Sequence, residues 1–234
     1  MNKTISIQEL NDIKKDIEEF MQTIKKRSNL INYHQIDNDF FCFLSKHIIF
    51  FKYLYNNNND NYFYKVIISD LYYLILSIIE NNERYLYLNE RSIIENYTRA
   101  IMQTEVETNY VTDNLFDKMF ISLKNEPLIN FNKDDFSKIK SAYRISCNYI
   151  HGGKFLNNSL AYILTECNNI HISLNERKKI YSQITFVLKI YDKILIYREA
   201  SQINGCFHRR KSIFKYLLGE KFLNLLFEIP EKNL

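Results

Sequence analysis

Tyr143-Arg144-Ile145-Ser146-Cys147-Asn148-Tyr149-Ile150-His151-Gly152-Gly153 reads as the last turns of a helix followed by its stop. Asn132 is placed to cap the start, so a helix is expected over about 133–151, and the two glycines end it. Arg144 and His151 are seven residues apart. Seven steps of about 100° return to within about 20°, so the two share one face two turns apart, with Asn148 between them. His151 falls at the helix C-terminus, where the macrodipole favours a cationic imidazole. An Arg, an Asn and a His in a row suit an anionic ligand, a phosphodiester above all. The same spacing also fits a plain helix-end His and an Arg whose stem lies along the surface.

The 3.6-residue period continues outward in both directions. Upstream, Asn89 is expected to cap a helix of about 90–105, and a shorter one near 113–124 ends before Pro127. Tyr62–Glu80 is apolar nearly all round and should be central. Phe40–Leu54 forms a helix that stops in the run Asn56-Asn57-Asn58-Asn59-Asp60, because Asn competes for the backbone and tolerates left-handed geometry. Leu10, Ile13, Ile17, Phe20, Met21 and Ile24 form a stripe, and Ser6 with Glu9 has capping-box spacing, giving a helix of about 7–26. Downstream, 154–172 is open: Leu160-Ala161-Tyr162-Ile163-Leu164 fits a short helix or a strand. Ser173 and Glu176 repeat the capping-box spacing and open a helix of about 174–202, stopped by Asn204-Gly205. A last helical segment, about 209–227, should break at Gly219. No internal repeat and no Pro/Ser linker interrupts the chain. The fold class expected is all-α: one helical-bundle domain over 1–234, of about seven to nine helices.

Composition narrows the chemistry. Thirty-one Lys and Arg against 27 Asp and Glu give a net charge of +4, which permits an anionic partner and excludes a polybasic chain. Four glycines leave little room for hairpins, and neither GxGxxG nor GxxxxGK[ST] is present, so nucleotide loops of those types are excluded. Cys42, Cys147, Cys167 and Cys206 are dispersed, as are the five histidines, so no metal and no cofactor is expected. Lys46, Lys52 and Asp70 interrupt the most apolar stretches, and none approaches the ~18 uncharged residues of a membrane span. The N-terminus runs straight into charged helix-like sequence with no signal peptide. A cytoplasmic protein with reduced thiols and no membrane partner is expected.

The segment from Tyr143 to Gly152 resembles the signature helix of the HEPN superfamily, all-α nucleotide-binding and RNase domains. Their motif is an Arg, four to six residues and a His near the end of a late helix; here it is Arg144, six residues and His151. The flavour is similar to HEPN-like proteins of the abortive-infection type, whose helix ends in an aromatic, an aliphatic, His and Gly. Asn89-Glu90-Arg91-Ser92-Ile93-Ile94-Glu95-Asn96-Tyr97 resembles their earlier helix, where an Arg and a Glu recur one turn apart. The resemblance covers about residues 60–203, with helices 7–55 and 209–227 packed on that core. Many active members carry a polar residue directly after the motif Arg, where this chain has Ile145; either Asn148 substitutes for it from one turn away or the active site is weakened.

The resemblance implies a metal-independent, homodimeric endoribonuclease with a toxin or phage-defence role, acting on RNA, with an antitoxin or defence-system protein as a further partner. It also implies the alternative of a catalytically inactive HEPN-like binding module. Two turns rise ~10.5 Å, so Arg144 and His151 of one chain are poorly placed to grip one phosphate; two copies across a two-fold axis would gather two of each. In the implied reaction the RNA 2′-OH attacks the adjacent phosphorus, His151 moves a proton, and Arg144 stabilises the phosphoryl oxygens. Asn148, Glu95 and Arg91 are supporting residues. Glu95 either pairs with Arg91 on the surface, an i,i+4 pair in the less favourable order, or faces Arg144 and fixes its guanidinium. Lys25-Lys26-Arg27, Arg177-Lys178-Lys179 and His208-Arg209-Arg210-Lys211 read first as solvated helix ends. Arg209, Arg210 and Lys211, with Lys154, could extend an RNA path.

Overall fold

The computed structural model describes residues 2–57, 61–104, 113–150, 159, 161 and 172–229. Among them are ten helices and no strand: α1 (Asn2–Arg27), α2 (Gln35–Asn57), α3 (Tyr62–Ile79), α4 (Glu83–Met102), α5 (Asp113–Leu123), α6 (Lys133–Ile150), α7 (Leu174–Arg198), α8 (Ala200–Cys206), α9 (Lys211–Leu218) and α10 (Glu220–Glu228). The all-α class expected from the period is therefore present. The count exceeds the expected seven to nine because the segment expected as one helix over 174–202 is broken at Glu199. Leu160–Leu164 fall outside the described residues except for Ala161.

Local chemistry sets the ends. Asn132 caps α6 as expected, its Oδ1 accepting from the Asp135 amide at 2.9 Å. Ser173 and Glu176 form the reciprocal capping box at the start of α7. Gly219, at φ 100° and ψ 166°, separates α9 from α10. Four boundaries differ from expectation. α2 starts at Gln35, five residues before Phe40. α1 starts at Asn2, so Ser6 lies inside the helix rather than at its cap. Asn82, not Asn89, caps α4: Asn81 takes a left-handed φ of 57° and turns the chain, and Asn82 next accepts from the Tyr85 amide at 3.1 Å. Asn89 then sits within the helix and donates to the Tyr85 carbonyl at 2.7 Å. α7 stops at Arg198, where Glu199 leaves helical geometry at φ −108°, ψ 28°, and Asn204-Gly205 lie inside α8.

α3 packs chiefly between α2 and α4, and α6 covers the other side of α4. α3 is long and apolar enough to cross a membrane, yet half of it is buried inside the molecule. Its Asp70 also accepts from Ser92 and Asn96 of α4 at 2.8 and 2.9 Å. α7 runs across the bundle and touches α2, α4, α6 and α10. Buried polar contacts fix its register. The buried Arg177 guanidinium meets Asp37 of α2, Nε to Oδ1 2.9 Å, and donates to the carbonyls of Ile172, Ile31 and Asn32. Tyr181 donates to the same Asp37 at 2.8 Å. Arg177 therefore anchors the connection between α1 and α2 and is no solvated helix end; Lys178 and Lys179 beside it remain exposed.

Candidate functional site

α6 is held by one stripe and displays another. Ile139, Ala142 and Ser146, at spacings of three and four, are buried against α4 and α7. Arg144 and Asn148, one turn apart, both point outward and are exposed. Arg144 makes no hydrogen bond or ion pair among the described residues, so its five donors are open to a ligand. Ile145 packs against the core, so no polar side chain adjoins Arg144 at that position. His151, Gly152, Gly153 and Lys154 lie outside the described residues, as does most of 154–172.

The upstream segment does reach the motif helix, by a different route from the one expected. Glu95 pairs with Arg91 at 2.8 Å, the surface i,i+4 arrangement. The same Glu95 oxygen accepts from the Tyr143 hydroxyl at 2.9 Å, and the Arg91 guanidinium lies 5.6 Å from the centre of the Tyr143 ring. Burial, then the Glu95 charge, push the Tyr143 phenol up, so it donates and does not ionise. Glu95 thus grips the residue before Arg144; of its two open arrangements the Arg91 pair is the one present, and no contact with the Arg144 guanidinium is made. Arg91, Glu95 and Tyr143 fix the rotation of α6 on α4 and thereby the direction in which Arg144 points.

Beneath the motif lies Glu90, buried on the inner side of α4. Ser146 of α6 donates to one of its oxygens at 2.8 Å and Gln183 of α7 to the other at 2.9 Å. Burial raises the carboxyl to about 7 against the opposing pull of these two donors. Neither motif spacing nor the resemblance assigns Glu90 a role. The signal was present: Leu86, Glu90, Ile93 and Tyr97 share one stripe, so an acid stands among apolar positions.

The other titratable cluster is His47 with Asp192. Nε2 faces Asp192 Oδ2 at 2.8 Å, Nδ1 faces the Phe43 carbonyl at 2.9 Å, and Tyr97 donates to Asp192 Oδ1 at 2.9 Å. Both ring nitrogens meet acceptors, so both carry protons. Burial opposes that charge, and Asp192 with the Phe43 carbonyl outweighs it, holding the pKa above its ordinary value. With no free nitrogen, this imidazole has no lone pair to act as a base.

The C-terminal cluster is partly committed to structure. Arg210 Nε contacts both Glu9 oxygens at 3.0 and 2.9 Å, and Tyr53 donates to Glu9 at 2.7 Å. Lys211 donates to Asn204, and burial lowers its pKa. Arg209 is exposed. Among the described residues no three His, Cys, Asp or Glu side chains gather to hold a metal ion. No family model matches the sequence, no curated protein matches it, and no solved structure matches the fold.

Proposed function

We propose that the chain is a metal-independent endoribonuclease of HEPN type, cytoplasmic and homodimeric, acting as a toxin or defence effector. One observation carries the reading. Arg144 and Asn148 stand exposed on one face of α6, the guanidinium unengaged. His151 is the residue that follows Ile150 in the sequence. Arg144 would bind the scissile phosphate and stabilise the charge growing on it, and His151 would move the proton of the 2′-OH or the leaving oxygen. Asn148, one turn from Arg144, supplies a further donor. Arg91, Glu95 and Tyr143 are positioning residues, since they set the rotation of α6 without facing the ligand. Cleavage would leave a cyclic phosphate, and DNA would resist for want of a 2′-OH. An antitoxin or defence-system protein would hold the enzyme silent.

The test is inducible expression in bacteria of wild type, Arg144→Ala and His151→Ala, with total RNA run on a gel. Growth arrest with RNA fragmentation in the wild type alone is expected, undiminished by chelator in lysate. Fragmentation that persists in either variant sinks the mechanism. A second reading, a silent RNA-binding module, is favoured by Ile145, which turns into the core where active members carry a polar side chain. Intact RNA with all three proteins soluble, under conditions that release any partner, would favour it.

A further inference from the structure

α7 turns a second stripe to solvent. Lys178, Ser182, Phe186 and Lys189 follow one another at steps of four, four and three, a line about 16 Å long on one face. Three hollows adjoin it. One of about 550 Å³ lies between α6 and α7, with Lys138 and Lys179 on its walls. The next, about 490 Å³, lies between α7 and α2 and includes Phe43. The third, about 760 Å³, runs on beneath α9 and α1 and includes Lys14, Lys46 and Tyr216. Lys178, Ser182 and Phe186 belong to the first two hollows, and Phe43 and Lys189 to the last two, so the three form one furrow.

The charge of the furrow is mostly positive, with Glu176 one turn from Lys179. Lys14, Lys46, Lys138, Lys178, Lys179 and Lys189 form no ion pair among the described residues. Against them stand Asp39 and Asp192, and His47 neutralises Asp192. Three rings of the furrow carry an ammonium over their faces: Lys138 at 4.2 Å from Phe186, Lys46 at 4.4 Å from Tyr216, Lys189 at 5.9 Å from Phe43.

We propose that this furrow is a binding track for single-stranded RNA. The ribonuclease reading supplies only the choice of polymer; the shape and charge stand without it. An ammonium with no carboxylate partner is available to a phosphate. As phosphates draw the lysines off, the Phe43, Phe186 and Tyr216 rings are freed for bases to stack upon. A duplex keeps its bases stacked inside and gains nothing from the rings. A membrane surface is a poorer fit, because the rings are spread along hollows between helices and interleaved with lysines instead of forming one continuous apolar face. The track also leads to the motif helix. Ser141 lines its first hollow and precedes Arg144 by three residues, which places it one turn away on the same side of α6.

The test is fluorescence anisotropy with a fluorescein-labelled 2′-O-methyl oligouridylate, which lacks the nucleophile and survives any nuclease. Wild-type full-length protein is compared with Lys178→Glu/Lys189→Glu and with Lys25→Glu/Lys26→Glu, an equal change of charge on an exposed helix end elsewhere. Weakening of about tenfold or more is expected in the first double variant, and less than about threefold in the second. Log affinity against log salt should fall with a slope of about −4 in the wild type and be shallower by about 1.4 in the first variant. If that variant fails to fold, Lys178→Gln and Lys189→Gln are read singly. Four results overturn the track: no binding by the wild type, equal weakening in both double variants, tighter binding of a duplex of the same length, or binding of phosphatidylserine vesicles in place of RNA. A protein that cleaves RNA in cells while its furrow variants bind and cleave like wild type loses the track and keeps the ribonuclease reading. One that binds along the furrow and never cleaves does the reverse.

Discussion

Glu90 and His47 are buried titratable groups held in opposite ways, and each makes stability depend on pH with a definite sign. Glu90 has only neutral donors, Ser146 and Gln183, and burial raises it to about 7. Its folded value lies above its unfolded one, so its contribution is complete below about pH 4.5 and is lost as pH rises towards 7. The loss is on the order of 3 kcal/mol. Glu90→Gln keeps the shape and removes the proton. Urea unfolding at pH 4.5 and pH 8 should show wild type losing more stability than the variant between the two; parallel losses would refute the assignment. His47 is also raised, so its contribution is complete below about pH 6.5 and falls above it. Asp192→Asn leaves the buried imidazolium without its counter-charge, at a cost of about 3–5 kcal/mol. It also reverses the sign: burial now favours the neutral ring, and the variant should gain stability as pH rises to about 6.5. A variant whose stability stays level to about pH 6.5 and falls above it, as the wild-type contribution does, would show that Asp192 is not the counter-ion. An acid on an apolar stripe was visible in the sequence at Glu90. Its partners were not, because Ser146 and Gln183 lie 56 and 93 residues away and only packing brings them together.

Two glycines give opposite expectations at the level of the helices. Gly219 sits between α9 and α10 at φ 100°, ψ 166°, with open space where a Cβ would be. Gly219→Ala meets no atom and still costs about 1–3 kcal/mol, because that backbone region is closed to L side chains. Gly205 is inside α8, also with open space around it, so Gly205→Ala should raise stability by about 0.5–1 kcal/mol. Thermal melts of the pair should move in opposite directions, and a fall for both would contradict the geometry. Helix existence was legible because the 3.6 period is a local property, and the caps at Asn132 and Ser173 were legible because each directly precedes its helix, Ser173 with Glu176 at capping-box spacing. Asn89 misled because a good cap residue also sits comfortably inside a helix when it bonds back to a carbonyl. Asn82 won since Asn81 had already turned the chain. The break at Glu199 had no sequence signal: no Gly or Pro marks it. In the site, the outward face shared by Arg144 and Asn148 followed from spacing. The Glu95–Tyr143 contact did not, because it depends on how α6 is rotated on α4.

Across the whole molecule, stability should be graded by how many sides of a helix are covered. α3 lies between two helices, α4 between α3 and α6, and α7 is pinned to α2 and α4 through Arg177, Gln183 and Asp192. Tyr97 and Tyr191 are fully buried there, and Thr98 and Tyr191 share a 2.7 Å hydrogen bond. α1 covers one side only, burying Ile17, Met21 and Ile24, and its Glu9–Arg210 contact is partly exposed and so weak. Native-state amide exchange should therefore place α3, α4 and α7 near the global unfolding free energy. The α1 amides from Ile17 to Ile24 should exchange about tenfold or more faster, through local detachment. Glu9→Gln should speed exchange in α1 and leave α4 unchanged, since the Arg210 clasp joins α1 to the start of α9 and to Tyr53. Equal protection of α1 and α4 would mean that the bundle opens only as one unit. The grading also bears on the furrow. Its α7 wall belongs to the stable core, whereas its far rim is built from α1 and α9, so a ligand that spans both must slow exchange in α1. Protection of α1 on addition of single-stranded RNA, without change in α4, would place the bound strand across that rim.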